Sequence, residues 1–193
     1  MIAENGVARA GFVLAGGASS RMGRDKALLP WRGASLLVHV ARQVEMAAGS
    51  VAIIGPRRLY SDLGLPVFED LHPGCGPLSG IEAALTATAA QWNLVAASDM
   101  PGLTEVFLRS LLEHAEASSA DAVVADGGRG LEPLCACYRR TCLPAIRQAI
   151  QTKVFKLADA LAGLRLERWP VEPAQLVNLN TPQDWDHYQA AHE

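Results

Sequence analysis

The chain has 193 residues, of which half are hydrophobic and 19% are charged, so we expect one globular domain over residues 1–193. A formal net charge of −3 argues against a broad positive surface that binds nucleic acid through its phosphates. The sequence contains neither an apolar run long enough to span a bilayer nor an apolar signal segment. We therefore expect a cytoplasmic protein that binds neither nucleic acid nor membrane.

Short apolar runs that end at Gly, Pro or Asp predict buried strands, and apolar residues at helical spacing predict the helices between them. In the first part of the chain, strands are predicted over 10–15, 51–54, 66–70 and 93–97, and helices over 36–48 and 78–90. Ser35 and Thr104 are expected to be N-caps, and Gly49 is expected to follow the end of the first helix.

The second part of the chain breaks the simple alternation. Residues 122–125 and 134–138 flank a glycine-rich turn at 126–130, which predicts a strand pair across an otherwise parallel pattern. Further strands are predicted over 164–169 and 176–178, and helices over 142–151, 153–162 and after Thr181-Pro182. The whole order predicts an α/β fold, a Rossmann-like three-layer sandwich with a mostly parallel sheet and an antiparallel strand.

The loop after the first strand, Leu14-Ala-Gly-Gly-Ala-Ser-Ser-Arg-Met-Gly-Arg-Asp-Lys26, combines glycines with cations. Gly16-Gly17 lets backbone N–H groups approach a phosphate with no Cβ in the way. Arg21, Arg24 and Lys26 add positive charge. The chain contains neither G-x-x-x-x-G-K-[ST] nor G-x-G-x-x-G, which argues against P-loop NTPases and dinucleotide oxidoreductases. The loop therefore predicts a triphosphate site of another kind.

Carboxylates follow two other predicted strands. Asp99, in Ser98-Asp-Met-Pro101, either holds a hard cation against phosphate oxygens or caps a turn. The pair Glu69-Asp70 contacts base, ribose or metal-bound water, or is a solvated loop pair. Because ligands of such sheets bind beyond the carboxyl ends of the strands, we expect the loop, Asp70 and Asp99 to meet at one edge.

The run Leu14-Ala-Gly-Gly-x-x-x-Arg21-Met-Gly23-x-Asp25-Lys26 resembles the signature of the molybdenum cofactor guanylyltransferases (MobA), a nucleotidyltransferase family. The likeness extends through Phe68-Glu-Asp70, Gly76-Pro-Leu-Ser-Gly80, Ser98-Asp-Met-Pro101, Glu132-Pro-Leu-Cys-Ala136 and Asn178-Leu-Asn-Thr-Pro182. Related cytidylyltransferases usually read Leu-Ala-Ala-Gly, so Gly16 favours guanine. One departure is that the family's Asn after the second strand is absent from Ile53-Ile-Gly-Pro56.

The resemblance implies a nucleotide-diphospho-sugar-transferase-like fold and a role for each matched position. The implied nucleotide-binding residues are Leu14, Ala15, Gly16, Gly17, Lys26, Asp70 and Asp99. Leu14, Ala15 and Gly16 would surround the guanine of GTP, Lys26 would contact phosphates and Asp70 the nucleoside. Asp99 would bind Mg²⁺, and Arg21 joins Lys26 and Asp99 as a predicted catalytic residue.

The acceptor side of the site is predicted from a helix start and the last matched motif. N–H groups at a helix start favour an anionic phosphate, although a helix that begins with Gly and Ser needs no ligand. The predicted acceptor-binding residues are Gly76, Pro77, Leu78, Ser79, Gly80, Asn178 and Asn180. Arg129, in the turn 126–130, either reaches the acceptor or is an exposed turn arginine.

The resemblance implies transfer of GMP from GTP to the terminal phosphate of molybdenum-molybdopterin, with release of pyrophosphate. GTP and molybdopterin are then the small-molecule partners, and molybdenum insertion proteins and apo-molybdoenzymes are candidate protein partners. Three alternatives to this reaction remain at this point. The first is a molybdopterin cytidylyltransferase, and the second is another small-molecule nucleotidyltransferase, such as one acting on a sugar 1-phosphate. The third is a non-catalytic molybdopterin carrier.

Overall fold

The computed structural model describes residues 9–16, 25–72 and 74–191. The strands in this part of the chain are β1 (Arg9–Leu14), β2 (Pro30–Trp31), β3 (Ala34–Ser35), β4 (Ala52–Ile54), β5 (Val67–Phe68), β6 (Trp92–Ala97), β7 (Ala122–Asp126), β8 (Leu131–Arg139) and β9 (Leu166–Pro170). The α-helices are α1 (Leu36–Ala48), α2 (Arg57–Tyr60), α3 (Pro77–Thr86), α4 (Glu105–Ala117), α5 (Leu143–Gln151), α6 (Leu157–Ala160) and α7 (Pro182–Ala190).

Among the described residues, seven strands form one sheet in the order β5-β4-β1-β6-β8-β7-β9. Neighbouring strands are parallel except at β8, which pairs antiparallel with both β6 and β7. The small hairpin of β2 and β3 lies apart from this sheet. The predicted α/β fold with a mostly parallel sheet and an antiparallel strand is therefore confirmed.

Both faces of the sheet are buried, which explains why its strands read as nearly continuous apolar runs. Val13 and Ile53 pack into one core with side chains of α1 and α4. Phe12 and Ile54, which point the other way, pack into a second core with side chains of α3 and α5. This alternation places one helical layer on each face, as in a three-layer sandwich.

The N-caps predicted at Ser35, Thr104 and Thr181 agree with the structure. The hydroxyls of Ser35 and Thr104 accept hydrogen bonds from backbone N–H groups three residues later and so cap α1 and α4. Gly49 ends α1 in the left-handed conformation, with φ 78°. Thr181 and Asp184 form a reciprocal capping box at the start of α7.

The prediction of a strand over 176–178 is wrong. Pro173–Leu176 is a 3₁₀ helix, and the residues after it cross the carboxyl edge of the sheet, where Leu179 N–H donates to the backbone oxygen of Asp99 at 3.0 Å. A single crossing contact of this kind leaves no neighbouring strand for a ladder. The apolar pattern of this short segment therefore reflects partial burial against the core rather than sheet pairing.

Other predicted elements are shorter than the pattern indicated. Lys153 has a φ of 59°, which stops any helix there, so α6 begins at Leu157 rather than at residue 153. The helix predicted over 78–90 ends at Thr86, and the Thr88 hydroxyl accepts from Ala90 N–H in the turn that follows. The hairpin of β2 and β3 was not predicted, because its two-residue strands are too short to show alternation.

The four cysteines are free thiols, and Cys135, Cys137 and Cys142 are buried. Burial raises the pKa of each of these three thiols, and that of Cys142 to about 12. Within residues 9–16, 25–72 and 74–191, there is no group of three or more His, Cys, Asp or Glu side chains that suits a metal ion. In the same residues, every helix is too short or too polar to cross a membrane.

An ion pair fastens the edge strand β9 at the end of the sheet opposite the predicted site. Asp121 accepts two hydrogen bonds from the Arg165 guanidinium, at 2.8 and 3.0 Å, and a third from Arg165 backbone N–H at 3.0 Å. These bonds lower the pKa of Asp121 to about 2. Since the folded pKa lies below the ordinary value of 3.8, the pair stabilises the fold above that pH and ceases to do so as pH falls toward 2.

Asp121→Asn is therefore expected to lower the Tm by about 2 °C at pH 7, since solvent screens this exposed pair. The difference in Tm between this variant and the unsubstituted chain should decrease steadily between pH 4 and pH 3. Thermal unfolding followed by circular dichroism at several pH values measures both. A difference in Tm that stays constant down to pH 3 would contradict the conclusion that the ionised Asp121 carboxylate stabilises the fold through Arg165.

Candidate active site

Four parallel strand ends form the edge of the sheet at which the predicted site residues lie. Ser98 N–H donates to Leu14 O at 3.0 Å, and Ala15 N–H donates to Ile54 O at 2.9 Å. These bonds continue the pairing of β1 with its two neighbours just past the regular strands. The chain leaving β1 is thereby held against both the Asp99 loop and the loop at Gly55, so the separate predicted pieces share one edge.

The Lys26 ammonium group is the centre of the best-defined polar cluster at this edge. Its Nζ atom lies 3.2 Å from Asp99 Oδ2, 3.0 Å from Leu179 O and 3.3 Å from Asn180 Oδ1. The Lys26 and Asp99 side chains are only 18% and 22% exposed, so water screens this pair less than it would a surface pair. Residues 73 positions apart in the chain are thus joined, together with the predicted acceptor residue Asn180.

Lys26 is held by a capped 3₁₀ helix that spans Lys26–Leu28. Asp25 Oδ1 accepts from Ala27 N–H at 3.0 Å, and Leu28 and Leu29 N–H donate back to Asp25 O and Lys26 O. Ala27 is buried in the core beside α1. The lysine therefore extends from a short element whose backbone is fixed on both sides.

The start of α7 fixes the other side of the cluster. Asp184 Oδ2 accepts from Asn180 N–H at 2.9 Å and from Thr181 N–H at 2.7 Å. These hydrogen bonds lower the pKa of the Asp184 carboxyl. Because Leu179 N–H also donates to the backbone oxygen of Asp99, the segment 179–181 is tied to both the last helix and the Asp99 loop.

The oxygen atoms around Lys26 Nζ are of the kinds that act as ligands of a hard divalent cation. A carboxylate, a backbone carbonyl and an amide oxygen already surround one positive charge, that of the ammonium group. Mg²⁺ in nucleotide sites is usually held by one or two carboxylates together with substrate phosphates. The lone carboxylate of Asp99 therefore fits a cation that arrives with a triphosphate rather than a preformed metal cage.

Asp70 lies beside the start of α3 and beside Leu14. A methyl group built on Gly80 would lie 3.5 Å from Asp70 Oδ1 and 2.7 Å from the Leu14 Cδ2 atom. Glycine at position 80 therefore lets α3 approach Leu14 closely, whether or not it contacts an acceptor. Desolvation raises the pKa of Asp70, although much of the side chain remains exposed.

Gly16 is exposed and has a φ of 94°, a conformation that favours glycine. A Cβ atom added there would lie 2.6 Å from Pro56 Cδ. Two steric reasons thus require glycine at position 16, and neither involves the base of a nucleotide. Pro56 occupies the loop where the resembling family has its Asn, so in this chain the proline ring packs against the chain as it leaves β1.

The predicted acceptor residues fall into two groups. Leu78, Ser79 and Gly80 are buried, and the Ser79 hydroxyl accepts from His72 N–H at 3.0 Å, so the Ser79 side chain supports the loop before α3. Gly76 and Pro77 are exposed at the helix start. Within the part of the chain that the structure describes, no hydrogen bond joins residues 76–80 to Asn178 or Asn180, so their shared role remains a prediction.

Asn178 lies beside a cavity at the carboxyl edge. Its Nδ2 atom donates to Glu132 Oε2 at 3.1 Å, joining two of the matched motifs. The cavity has a volume of about 550 Å³ and is bordered by the β7–β8 turn, including Arg129, and by the segment from Pro173 to Asn178. This volume is in the range that accommodates a small-molecule ligand.

Comparison with known proteins identifies the family of this chain. The family model described as "MobA-like NTP transferase domain" matches residues 11–166. The chain belongs to the MobA-like NTP transferase family. A Carboxydothermus hydrogenoformans protein named "Probable molybdenum cofactor guanylyltransferase" is 32% identical, covering 90% of this chain and 91% of the relative. A protein with the same printed name from Pelotomaculum thermopropionicum is 35% identical, covering 90% and 88%.

Solved structures of other proteins share the fold. "Molybdopterin-guanine dinucleotide biosynthesis protein A" from Archaeoglobus fulgidus matches with a TM-score of 0.82 and 26% identity, covering 95% of this chain and 98% of that chain. A CMP:2-keto-3-deoxy-manno-octonic acid synthetase solved with CTP has a TM-score of 0.75 and 15% identity, covering 95% and 98%. The predicted nucleotidyltransferase fold is confirmed, and the chain is a nucleotidyltransferase.

Two predicted site residues of this MobA-like chain, Gly17 and Arg21, lie outside the described residues, as do Gly23 and Arg24 of the same loop. Their roles stay predictions. Sequence reasoning missed a different contributor, Tyr60, whose hydroxyl donates to Asp25 Oδ2 at 2.6 Å. The signal available was Asp25 itself, which belongs to the matched signature but had received no role.

Proposed function

We propose that this protein transfers GMP from GTP to the terminal phosphate of molybdenum-molybdopterin and releases pyrophosphate, forming the guanine dinucleotide form of the cofactor. The observation that carries the proposal is the 3.2 Å contact between Lys26 Nζ and Asp99 Oδ2 at the carboxyl edge of the sheet. The names of the relatives supply the acceptor and the base.

The proposed reaction exchanges one phosphoanhydride linkage for another. A terminal phosphate oxygen of molybdopterin attacks the α-phosphorus of GTP, an oxygen–phosphorus bond forms, and the bond from the α-phosphorus to the bridging oxygen breaks. The electron pair leaves with pyrophosphate. The attacking phosphate is already ionised at neutral pH, so the protein needs to supply no general base, and charge neutralisation and alignment govern the rate.

The chain's own residues would supply that neutralisation. Lys26 would leave the oxygen atoms of Asp99, Leu179 and Asn180 and donate to phosphate oxygens. Mg²⁺, held by Asp99 and the triphosphate, would offset the negative charge that develops on the leaving pyrophosphate. Gly16 would present its backbone to the nucleotide, and the turn of α7 would hold Asn180 in reach of the phosphates.

The acceptor is proposed to enter from the cavity beside Asn178. This cavity approaches the Lys26 cluster through consecutive residues, since Asn178 borders it and Leu179 O contacts Lys26 Nζ. Arg129, exposed on its rim, offers a positive charge for an anionic pterin phosphate. The support is therefore continuity between a cavity of suitable volume and the phosphate-binding cluster.

The test is pyrophosphate release with molybdenum-loaded molybdopterin and Mg²⁺, measured separately with GTP, CTP, ATP and UTP. We expect GTP to give the highest kcat/KM, with the guanine dinucleotide identified as the product by mass spectrometry. Omitting molybdopterin supplies the control for simple triphosphate hydrolysis.

Two results would overturn the proposal. A preference for CTP would identify a molybdopterin cytidylyltransferase, since the steric need for glycine at position 16 is independent of the base. No release with any triphosphate, while the pterin binds tightly, would favour the carrier alternative that the sequence left open.

A further inference from the structure

Tyr60 is a buried phenol next to the site that the reaction itself does not use. Its side chain is 0% exposed, and its hydroxyl donates to Asp25 Oδ2 at 2.6 Å. Burial, followed by the hydrogen bond to Asp25, raises the pKa of Tyr60 well above its ordinary value. The hydroxyl therefore keeps its proton and remains a donor throughout the physiological pH range.

The carboxylate of Asp25 connects Tyr60 to the 3₁₀ helix that begins at Lys26. While Oδ2 accepts from Tyr60, Oδ1 accepts from Ala27 N–H at 3.0 Å and caps the 3₁₀ helix that begins at Lys26. A hydrogen bond to an ionised acceptor is stronger and shorter than a neutral one. The orientation of the short helix is consequently fixed by a chain of two bonds that begins at a core residue.

The same tyrosine supports the chain where it leaves β1. A Cβ atom built on Gly55 would lie 2.9 Å from Tyr60 Cε2, and one built on Gly16 would lie 3.7 Å from the Tyr60 hydroxyl oxygen. The ring therefore packs beneath the loop after β4, and its hydroxyl lies near Gly16. One side chain thus contacts Asp25 and lies near Gly16, the two described residues of the Gly-rich loop that stand on either side of positions 17–24 in the sequence.

We propose that Tyr60 is a positioning residue for Lys26, acting through Asp25, so that triphosphate affinity and rate depend on a phenol that does not touch the substrate. This inference rests on the proposed function only in giving Lys26 its phosphate role. The position of Lys26 Nζ, between Asp99 Oδ2, Leu179 O and Asn180 Oδ1, is a property of the chain without substrate. The inference can therefore be tested without measuring turnover.

The first test measures the chemical reactivity of Lys26. The chain has three lysines, and Lys153 and Lys156 are exposed, so they serve as internal standards. Tyr60→Phe keeps the ring and removes only the hydroxyl. We expect acetylation of Lys26 by a soluble N-hydroxysuccinimide ester, relative to the two standards, to accelerate about tenfold as Nζ leaves its oxygen acceptors. Peptide mass spectrometry follows each lysine separately.

A double-mutant cycle tests whether Tyr60 acts through Asp25. Tyr60→Phe and Asp25→Ala should each lower kcat/KM with GTP about 10- to 100-fold and weaken GTP binding, measured by calorimetry. Because both remove the same chain of bonds, the double variant should be no worse than Asp25→Ala alone. Asp25→Asn keeps one oxygen acceptor for Ala27 N–H but places an amide NH2 group, which cannot accept a hydrogen bond, opposite the Tyr60 hydroxyl, so its loss of affinity should resemble that of Tyr60→Phe.

The matched control is Thr88→Val, which also removes a buried hydroxyl. Thr88 precedes β6, at the end of that strand opposite Asp99, and its hydroxyl accepts from Ala90 N–H at 3.0 Å. We expect this variant to lose stability but to keep the Lys26 labelling rate and the GTP affinity. The comparison separates positioning of Lys26 from a general loosening of the core.

The proposal is overturned if Tyr60→Phe leaves Lys26 labelling unchanged, or if the effects of Tyr60→Phe and Asp25→Ala multiply in the double variant. Equal acceleration by Thr88→Val would also overturn it. Failure of the proposed function gives a different result from failure of this inference. The unsubstituted chain would then release no pyrophosphate with molybdopterin, but the labelling rates would still test the link from Tyr60 to Lys26.

Discussion

Asp99→Asn is expected to lower the rate of pyrophosphate release by about 10³-fold or more. Asparagine has nearly the same shape and can still accept from Lys26 Nζ, but it lacks the negative charge that holds a divalent cation next to a triphosphate. The backbone oxygen of Asp99 keeps its bond from Leu179 N–H, so the loop geometry should persist. The loss is therefore expected in kcat, with the fold retained.

Three measurements make this prediction specific to the charge of Asp99. Chelation of divalent cations by EDTA should abolish release by the unsubstituted chain, and added Mg²⁺ should restore it. Asp99→Asn should need far more Mg²⁺ for any residual rate. Asp121→Asn makes the same substitution in an ion pair at the opposite edge of the sheet and should retain nearly full activity. Near-normal release by a folded Asp99→Asn variant would exclude the assigned metal role.

The order of strands and helices was predictable because both faces of the sheet are covered. A strand such as β6 contributes side chains to both cores, so it appears in the sequence as a plain apolar run with polar residues at its end. The N-caps were predictable because Ser35 and Thr104 bond to backbone groups three residues away. Information of this local kind survives in a short window of sequence.

Two of the failures concern contacts between distant segments. Residues 176–178 look like a strand in isolation, yet the chain there is drawn across the sheet edge by Asp99. Tyr60 in the sequence is one aromatic residue in a short, polar stretch, and nothing local indicates that its hydroxyl meets Asp25, 35 positions earlier. The site was thus predictable where a motif carries it and not where a supporting contact depends on the folded chain.

Gly16 illustrates how the structure changes the meaning of a correctly chosen residue. From the sequence, glycine at this position favoured guanine over cytosine. In the folded chain its φ of 94° and its closeness to Pro56 already require glycine. The proposed preference for GTP therefore rests on the names of the relatives rather than on this residue, which is why the four triphosphates must be compared directly.

Lys26→Met is expected to lower kcat/KM with GTP by about 10²- to 10³-fold and to weaken GTP binding by about tenfold or more. Methionine preserves most of the aliphatic stem, so the change removes chiefly the ammonium group. Its three acceptors, Asp99 Oδ2, Leu179 O and Asn180 Oδ1, then lose their shared donor. We expect the free energy of unfolding to fall by about 1–2 kcal/mol, because these oxygen atoms are partly but not fully accessible to water.

Two further variants separate the effect of Lys26→Met on stability from its effect on phosphate binding. Lys156→Met removes an exposed lysine that lies 3.8 Å from Asp159, and it should leave both GTP affinity and rate unchanged. Lys26→Arg keeps the charge but not the compact ammonium group, so it should recover part of the affinity and little of the rate. Calorimetric titration with GTP and Mg²⁺ gives the affinities, and urea unfolding gives the stability. Unchanged triphosphate affinity in folded Lys26→Met would show that the ammonium group serves only to neutralise Asp99, and the phosphate role would then fall to cations elsewhere in the Gly-rich loop.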